Sequence, residues 1–263
     1  MELGIDGKVA LVAASGRGLG LAVATRLAME GCQVAICARH QDALDQARAR
    51  ITAEVPGARV ATQRADLTND ADIESLVSYV RAELGPVAIL ITNSGGPPPG
   101  TFDDADDAKW EQAFLLTYLS AVRLIRAVLP DMRERQWGRI INLTSRALKE
   151  PIPNLMISNA LRLAVGGMAK TLAAEVAPYG ITVNNVLPGP TATERQVELI
   201  ASRAKRNGIS EADSLAQIVR EIPVGRLAEP GEVAAATAFL ASEPAGYITG
   251  VSLLVDGGAV RSL

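Results

Sequence analysis

Two hydrophobic periods alternate along this chain. Residues 9–13 form a short β-prone apolar run, and residues 19–29 then space their apolar positions as a helix does, with a glycine-rich turn between them. The pattern recurs as a strand over 34–38 before a polar helix over 41–54, a strand over 60–64 before a helix over 71–84, and a strand over 87–91. A long helical segment, 108–135, leads into a strand at 139–143, and a second, 155–177, leads into 182–186. A helix over 232–241 and a strand over 251–255 complete the series. Strands that alternate with helices predict a parallel sheet covered on both faces. No repeat, charge block or low-complexity linker divides the chain, so residues 1–263 are expected to form one α/β domain. The stretch 193–221 is the most polar and least regular part of the second half. It follows a strand, where open parallel sheets place their ligand crevice, and is predicted to be a mobile lid.

Composition narrows the function classes. With 48% hydrophobic but only 3% aromatic residues, the core must be built from Ala, Val, Leu and Ile. A net charge of -3, with both signs interspersed, gives no electrostatic reason to expect nucleic acid or an anionic membrane as partner, so a small-molecule substrate is expected. The opening residues carry no leader-like pattern, and no apolar run approaches the roughly 18 residues of a spanning helix; a cytoplasmic location is expected. Cys32 and Cys37 stand five positions apart on a predicted strand, on opposite faces, so they are not expected to pair. His40 is the lone histidine, and no metal site is expected.

The first strand-to-helix turn reads Ala13-Ala14-Ser15-Gly16-Arg17-Gly18-Leu19-Gly20. Glycines there let the backbone approach a pyrophosphate, whose charge the helix N-terminus favours. The first such turn of a parallel sheet is also where dinucleotides bind. At the end of the second strand, where NAD-preferring folds place an acid for the ribose, this chain has Arg39, and Arg17 projects from the first loop. Two cations suit a 2′-phosphate, so NADP(H) is the expected cofactor.

These residues, with later landmarks, resemble the short-chain dehydrogenase/reductase family over essentially the whole chain. Asp66-Leu67-Thr68 resembles the family's Asp after strand three, which meets the adenine, and Thr92-Asn93-Ser94-Gly95 its Asn-Asn-Ala-Gly after strand four. Pro188-Gly189, Pro223-Val224-Gly225-Arg226, Tyr247-Ile248-Thr249-Gly250 and Val255-Asp256-Gly257-Gly258 resemble its second half. The resemblance implies a doubly wound Rossmann fold with a seven-stranded parallel sheet, and a homodimer or homotetramer built through the two long helices. It also implies that Pro188, Gly189, Thr191 and Thr193 lie along the nicotinamide and pyrophosphate. Ala14 departs from the pattern, standing where the family's first loop glycine usually is.

The catalytic pattern departs further. In the family a Ser positions the substrate carbonyl, a Tyr passes it a proton, a Lys four residues on tunes the Tyr and holds the nicotinamide ribose, and a helix Asn supports a water relay. Ser145 matches the Ser, but Ser158 stands for the Tyr, Arg162 for the Lys and Tyr118 for the Asn. Ser158 and Arg162, at i and i+4, share a helix face. An aliphatic hydroxyl is a far weaker acid than a phenol, so Ser158 makes a poor proton donor. The Arg162 fork can bind ribose hydroxyls but stays protonated. One rescue places the Tyr118 hydroxyl near Ser145, with Arg162 as the activating cation; Lys149, just past Ser145, is a second candidate acid or substrate anchor. Residues 95–100 form a Gly/Pro wall beside the nicotinamide, and Arg195, Arg203, Lys205 and Arg206 in the lid suit an anionic substrate or a solvated face. Two functions stand: an NADP(H)-dependent oxidoreductase interconverting a carbonyl and a secondary alcohol, or a non-catalytic NADP-binding sensor or structural subunit.

Overall fold

The computed structural model describes residues 2–262. Strands β1 (Val9–Val12), β2 (Gln33–Ala38), β3 (Val60–Arg64), β4 (Ile89–Thr92), β5 (Gly138–Leu143), β6 (Ile181–Pro188) and β7 (Ser252–Val255) pair in parallel, in the order β3-β2-β1-β4-β5-β6-β7. The helices are α1 (Gly18–Met29), α2 (Gln41–Glu54), α3 (Asp70–Glu83), α4 (Asp107–Ala113), α5 (Ser120–Glu134), α6 (Met156–Val176), α7 (Glu194–Asn207), α8 (Glu211–Arg220) and α9 (Pro230–Leu240). The parallel sheet is what the alternation predicts, and its doubly wound, seven-stranded Rossmann arrangement is what the resemblance implies.

The central strands are mostly apolar because both their faces are covered. On one face Val12, Ile36, Ile89 and Ile141 pack under α1, α2 and α9; on the other Leu11, Leu90, Ile140 and Val183 pack under α3, α5 and α6. Cys32 belongs to the first cluster and Cys37 to the second, and both thiols are free. The strand order reverses between β1 and β4, which opens a crevice at their carboxyl ends.

The amino end of β5 is fixed by Arg139, whose side chain is 3% exposed. Its Nε donates to Ser242 O, its Nη1 to the carbonyls of Gly138 and Gly180, and its Nη2 lies 3.8 Å from Glu243. The guanidinium also stacks 4.4 Å from the Trp137 ring centroid.

Three expectations change. The long helical segment expected over 108–135 contains a wide π turn, Phe114–Leu119, between α4 and α5. Together these make 28 continuous helical residues, Asp107–Glu134, long and apolar enough to span a membrane by length and composition, so the expectation that no stretch approaches that length is corrected. Its apolar side is spent on the core: Leu124, Ile125, Val128 and Met132 are buried against the sheet. The stretch 193–221, expected to be irregular, forms the helix pair α7 and α8, joined by Ile200, Ile218 and Ile222. Each has its own side-chain cap: Thr193 accepts from Gln196 N, and Ser210 from Asp213 N.

Candidate active site

The crevice begins at the turn between β1 and α1. Ala14 sits at φ 46°, the left-handed region, so this chain keeps the turn without the glycine at a strain cost of about 1–2 kcal/mol. Its carbonyl accepts from Asn93 Nδ2 at 3.1 Å, which ties the turn to the end of β4. Gly20 fits only as glycine: a Cβ there would stand 2.5 Å from Ala14 O and 2.8 Å from Ser15 Cα. The α1 N-cap, Arg17, makes no side-chain cap bond, and no acid stands in the first turn, so its first N–H groups stay free for an anion. A close backbone turn ending in an uncapped helix N-terminus fits a dinucleotide pyrophosphate.

The residues expected at the adenosine end lie near the same turn. Arg17 and Arg39 are both exposed, at the turn and just beyond β2. Asp66 Oδ1 accepts from Thr68 N at 2.9 Å and Thr68 Oγ1 at 2.8 Å, leaving Oδ2 without a partner among the described residues. The Thr68 backbone bond first, then its hydroxyl and the Arg39 charge, hold the Asp66 carboxyl below its ordinary pKa. Leu67 is buried beside it. Across the crevice, Gly189 packs so tightly on β7's exit that a Cβ would meet Asp256 Cα at 2.7 Å. Thr191 Oγ1 donates to Gly189 O, and Thr193 Oγ1 to Thr191 O, so these threonines shape the loop leaving Pro188.

Ser145 follows β5 and caps a short 3-10 turn: its Oγ accepts from Ala147 N at 3.1 Å, which leaves the hydroxyl proton free to donate to a carbonyl oxygen. Ser158 and Arg162 do share a face of α6, with Nε donating to Ser158 Oγ at 3.3 Å. Arg162 Nη1 donates to the carbonyls of Leu143 and Thr144, at 3.2 and 3.0 Å, which aims the guanidinium at the end of β5. The arginine keeps some accessible surface, yet protein crowds its guanidinium closely. That desolvation first, and the Arg195 charge second, push its pKa down to about 10.

Tyr118 stacks on Phe114, ring centroids 5.5 Å apart, and no hydrogen bond joins it to Ser145. Thr117, its neighbour in the π turn, lines a small cavity together with Arg162, Asn93 and Ser94. Lys149 is exposed beyond the 3-10 turn.

The Gly/Pro wall is fastened at Pro97 and at Gly100. Gly100 N donates to Asn154 O at 2.7 Å, just before α6, and Arg195 Nη2 donates to Pro97 O at 2.6 Å. Arg195 also pairs with Glu198, which in turn stands 3.8 Å from Arg17, while Arg203 pairs with Glu221 inside the α7–α8 pair. Glu194 Oε2 lies 3.5 Å from where a Cβ on Gly18 would stand, so α7 reaches over the glycine turn.

Sequence reasoning missed Thr117, Glu194, Glu198 and a polar ladder beneath the site. Thr92 Oγ1 donates to Asn142 Oδ1, Asn142 Nδ2 to Asn185 Oδ1, and Asn185 Nδ2 to Ser252 Oγ, at 2.7, 3.0 and 3.1 Å. These residues are direct register partners on β4 to β7. The available signal was polar side chains inside otherwise apolar strands, a costly choice unless they pair.

Comparison with known proteins agrees with this geometry. Residues 13–260 match the family model described as enoyl-(acyl carrier protein) reductase. The NADPH-dependent reductase BacG of Bacillus subtilis (strain 168) is 30% identical over 256 residues, 97% of this chain and 99% of that protein. The crystal structure of L-sorbose reductase from Gluconobacter frateurii, complexed with NADPH and L-sorbose, superposes with a TM-score of 0.94 at 34% identity, covering 100% of both chains. A short-chain oxidoreductase from Pseudomonas aeruginosa PAO1, described as containing an atypical catalytic centre, superposes with a TM-score of 0.89 at 30% identity over 99% of this chain and 100% of that one. With the turn, the sheet order and these matches in agreement, the chain belongs to the short-chain dehydrogenase/reductase family.

Proposed function

We propose that this protein is an NADPH-dependent reductase that converts a carbonyl to a secondary alcohol without a tyrosine acid. The observation that carries the reading is Arg162 held by the Leu143 and Thr144 carbonyls, its charge brought beside Ser145. NADPH, when bound, supplies the hydride. Gly16, Gly18, Leu19 and Gly20 receive the pyrophosphate on the N-terminus of α1, where Asn93 braces the turn. Arg17 and Arg39 take the 2′-phosphate, with Glu198 releasing Arg17, and Asp66 Oδ2 accepts from the adenine. Ser94, Gly95, Pro188, Gly189, Thr191 and Thr193 wall the nicotinamide end.

Ser145 donates to the substrate carbonyl and stabilises the charge growing on its oxygen. Arg162 adds a fixed positive field beside that oxygen and binds ribose hydroxyls, and Ser158 orients its fork. The NADPH complexes among its solved relatives support the cofactor, and the atypical centre of the Pseudomonas relative makes altered catalytic residues in this fold a precedent. Exposed Leu163 and Met156 on α6 support pairing of copies through the long helices.

The test is titration with NADPH and NADH, then oxidation of bound NADPH against a panel of ketones and aldehydes, in wild type and Ser145→Ala. Tighter NADPH binding, turnover with at least one carbonyl and a loss on the order of 100-fold in kcat for Ser145→Ala are expected. Tight NADPH binding with no oxidation across the panel contradicts the reductase and favours the non-catalytic binder.

A further inference from the structure

Helix α7 presents opposite charges to the two ends of the crevice. Glu194 reaches over Gly18 in the glycine turn, whereas Arg195, the next residue, reaches the Gly/Pro wall. Its Nη2 donates to Pro97 O, and Nη2, Nε and Cζ lie 3.1, 3.2 and 3.3 Å from where a Cβ on Gly96 would stand, so the missing side chain makes room for the guanidinium. Arg162 stands by the same loop just upstream, lining the small cavity with Asn93 and Ser94, and its Nη1 donates to Thr144 O, beside Ser145. Two guanidinium groups from different helices thus flank residues 93–97, and the Arg195 charge is felt at Arg162, where it helps to hold the pKa low. Among the described residues, Glu198 is the one carboxylate in ion-pair reach of either arginine, 3.2 Å from Arg195, and it also stands 3.8 Å from Arg17. One carboxylate for two guanidinium groups leaves a positive charge unbalanced next to Ser145. Like charges gathered at a crevice cost free energy until an anion meets them. The cofactor's phosphates already have their places in the reading above, at α1 and at Arg17 and Arg39. A single unbalanced charge suits a carboxylate, whose two oxygens match a guanidinium fork.

We propose that the substrate is an oxo acid and that Arg195 binds its carboxylate at Gly96 and Pro97, with the Arg162 charge facing it from the side of Ser145. The substrate class rests on the reductase reading above; the carboxylate site does not. Arg195 sets specificity here, because it holds the part of the substrate that does not react, while the carbonyl meets Ser145. Arg203 supplies an internal control on the same helix, since it is paired with Glu221 inside the α7–α8 pair.

Wild type, Arg195→Met, Arg195→Lys and Arg203→Met would be compared on α-, β- and γ-oxo acids, their methyl esters and dihydroxyacetone phosphate. Binding to the NADPH complex is read by cofactor fluorescence, and kcat and KM by NADPH absorbance. For at least one of the oxo acids, wild type should prefer the acid to its ester by roughly 10- to 100-fold in kcat/KM, the worth of a charge-assisted hydrogen bond, chiefly through KM. Arg195→Met should bring that ratio close to one with the KM for NADPH little changed. Arg195→Lys should keep part of the ratio and Arg203→Met all of it. Equal use of acid and ester, or a preference that survives in Arg195→Met, overturns the site. A raised KM for NADPH in Arg195→Met with the acid-to-ester ratio intact overturns it too and gives Arg195 to a cofactor phosphate. A preference for the phosphate over every oxo acid overturns the carboxylate. If no carbonyl is turned over but oxo acids bind the NADPH complex and Arg195→Met abolishes that binding, the reductase reading fails and the carboxylate site stands. Neither turnover nor binding overturns both.

Discussion

Two arginines turn inward at opposite ends of β5, and they are equipped differently. Arg139, at the amino end, is saturated: three carbonyls, the Trp137 ring and Glu243 surround it. Arg162, at the carboxyl end, has two carbonyls and a serine, no carboxylate within ion-pair reach among the described residues, a second arginine near it, and lines a small cavity. A charge whose partners are complete holds a fold together. A charge left open beside a crevice is an instrument for a ligand, and it is where perturbed groups point to function.

The largest effects should separate these roles. Arg162→Met is expected to lower kcat/KM on the order of 1,000-fold while costing less stability than the loss of Arg139, about 2 kcal/mol at most, since two carbonyls lose their donor but a charge without a counter-ion is also removed. Arg139→Met should do the reverse, costing about 3 kcal/mol by denaturant titration as three carbonyls lose their donor, with kcat of the folded fraction unchanged. Equal stability losses for both would erase the contrast. A smaller effect sharpens it from the cofactor side: Arg39→Asp should weaken NADPH by about 2 kcal/mol, roughly 30-fold, and improve NADH, read by fluorescence titration. An unchanged preference would put the 2′-phosphate elsewhere.

Most of the fold was legible because β1, β4, β5 and β6 are buried on both faces and read as apolar runs broken by only a few polar residues. The glycine turn was legible for a similar reason, since close approach leaves room for no other residue at Gly20. Other parts left no such mark. A π turn uses the same residue types as an α-helix, so nothing in Phe114–Leu119 announced that Thr117 would line a cavity with Arg162. Helices α7 and α8 bury only a small isoleucine cluster, too little apolar spacing to stand out among charges. The ladder from Thr92 to Ser252 depends on register, which only the paired sheet fixes. The spacing of Ser158 and Arg162 did foretell their contact, because a helix fixes i and i+4.

The central claim is that Arg162, and no phenol, supports proton delivery at Ser145. Single-turnover hydride transfer, followed as NADPH absorbance against pH in wild type and Tyr118→Phe, tests it most directly. Burial lowers the Arg162 pKa to about 10, still well above the working range, so the guanidinium stays charged and the rate should hold from about pH 6 to 9. Tyr118→Phe should reproduce the wild-type rate and profile. A rate that collapses in Tyr118→Phe would contradict the account and return the acid to the phenol.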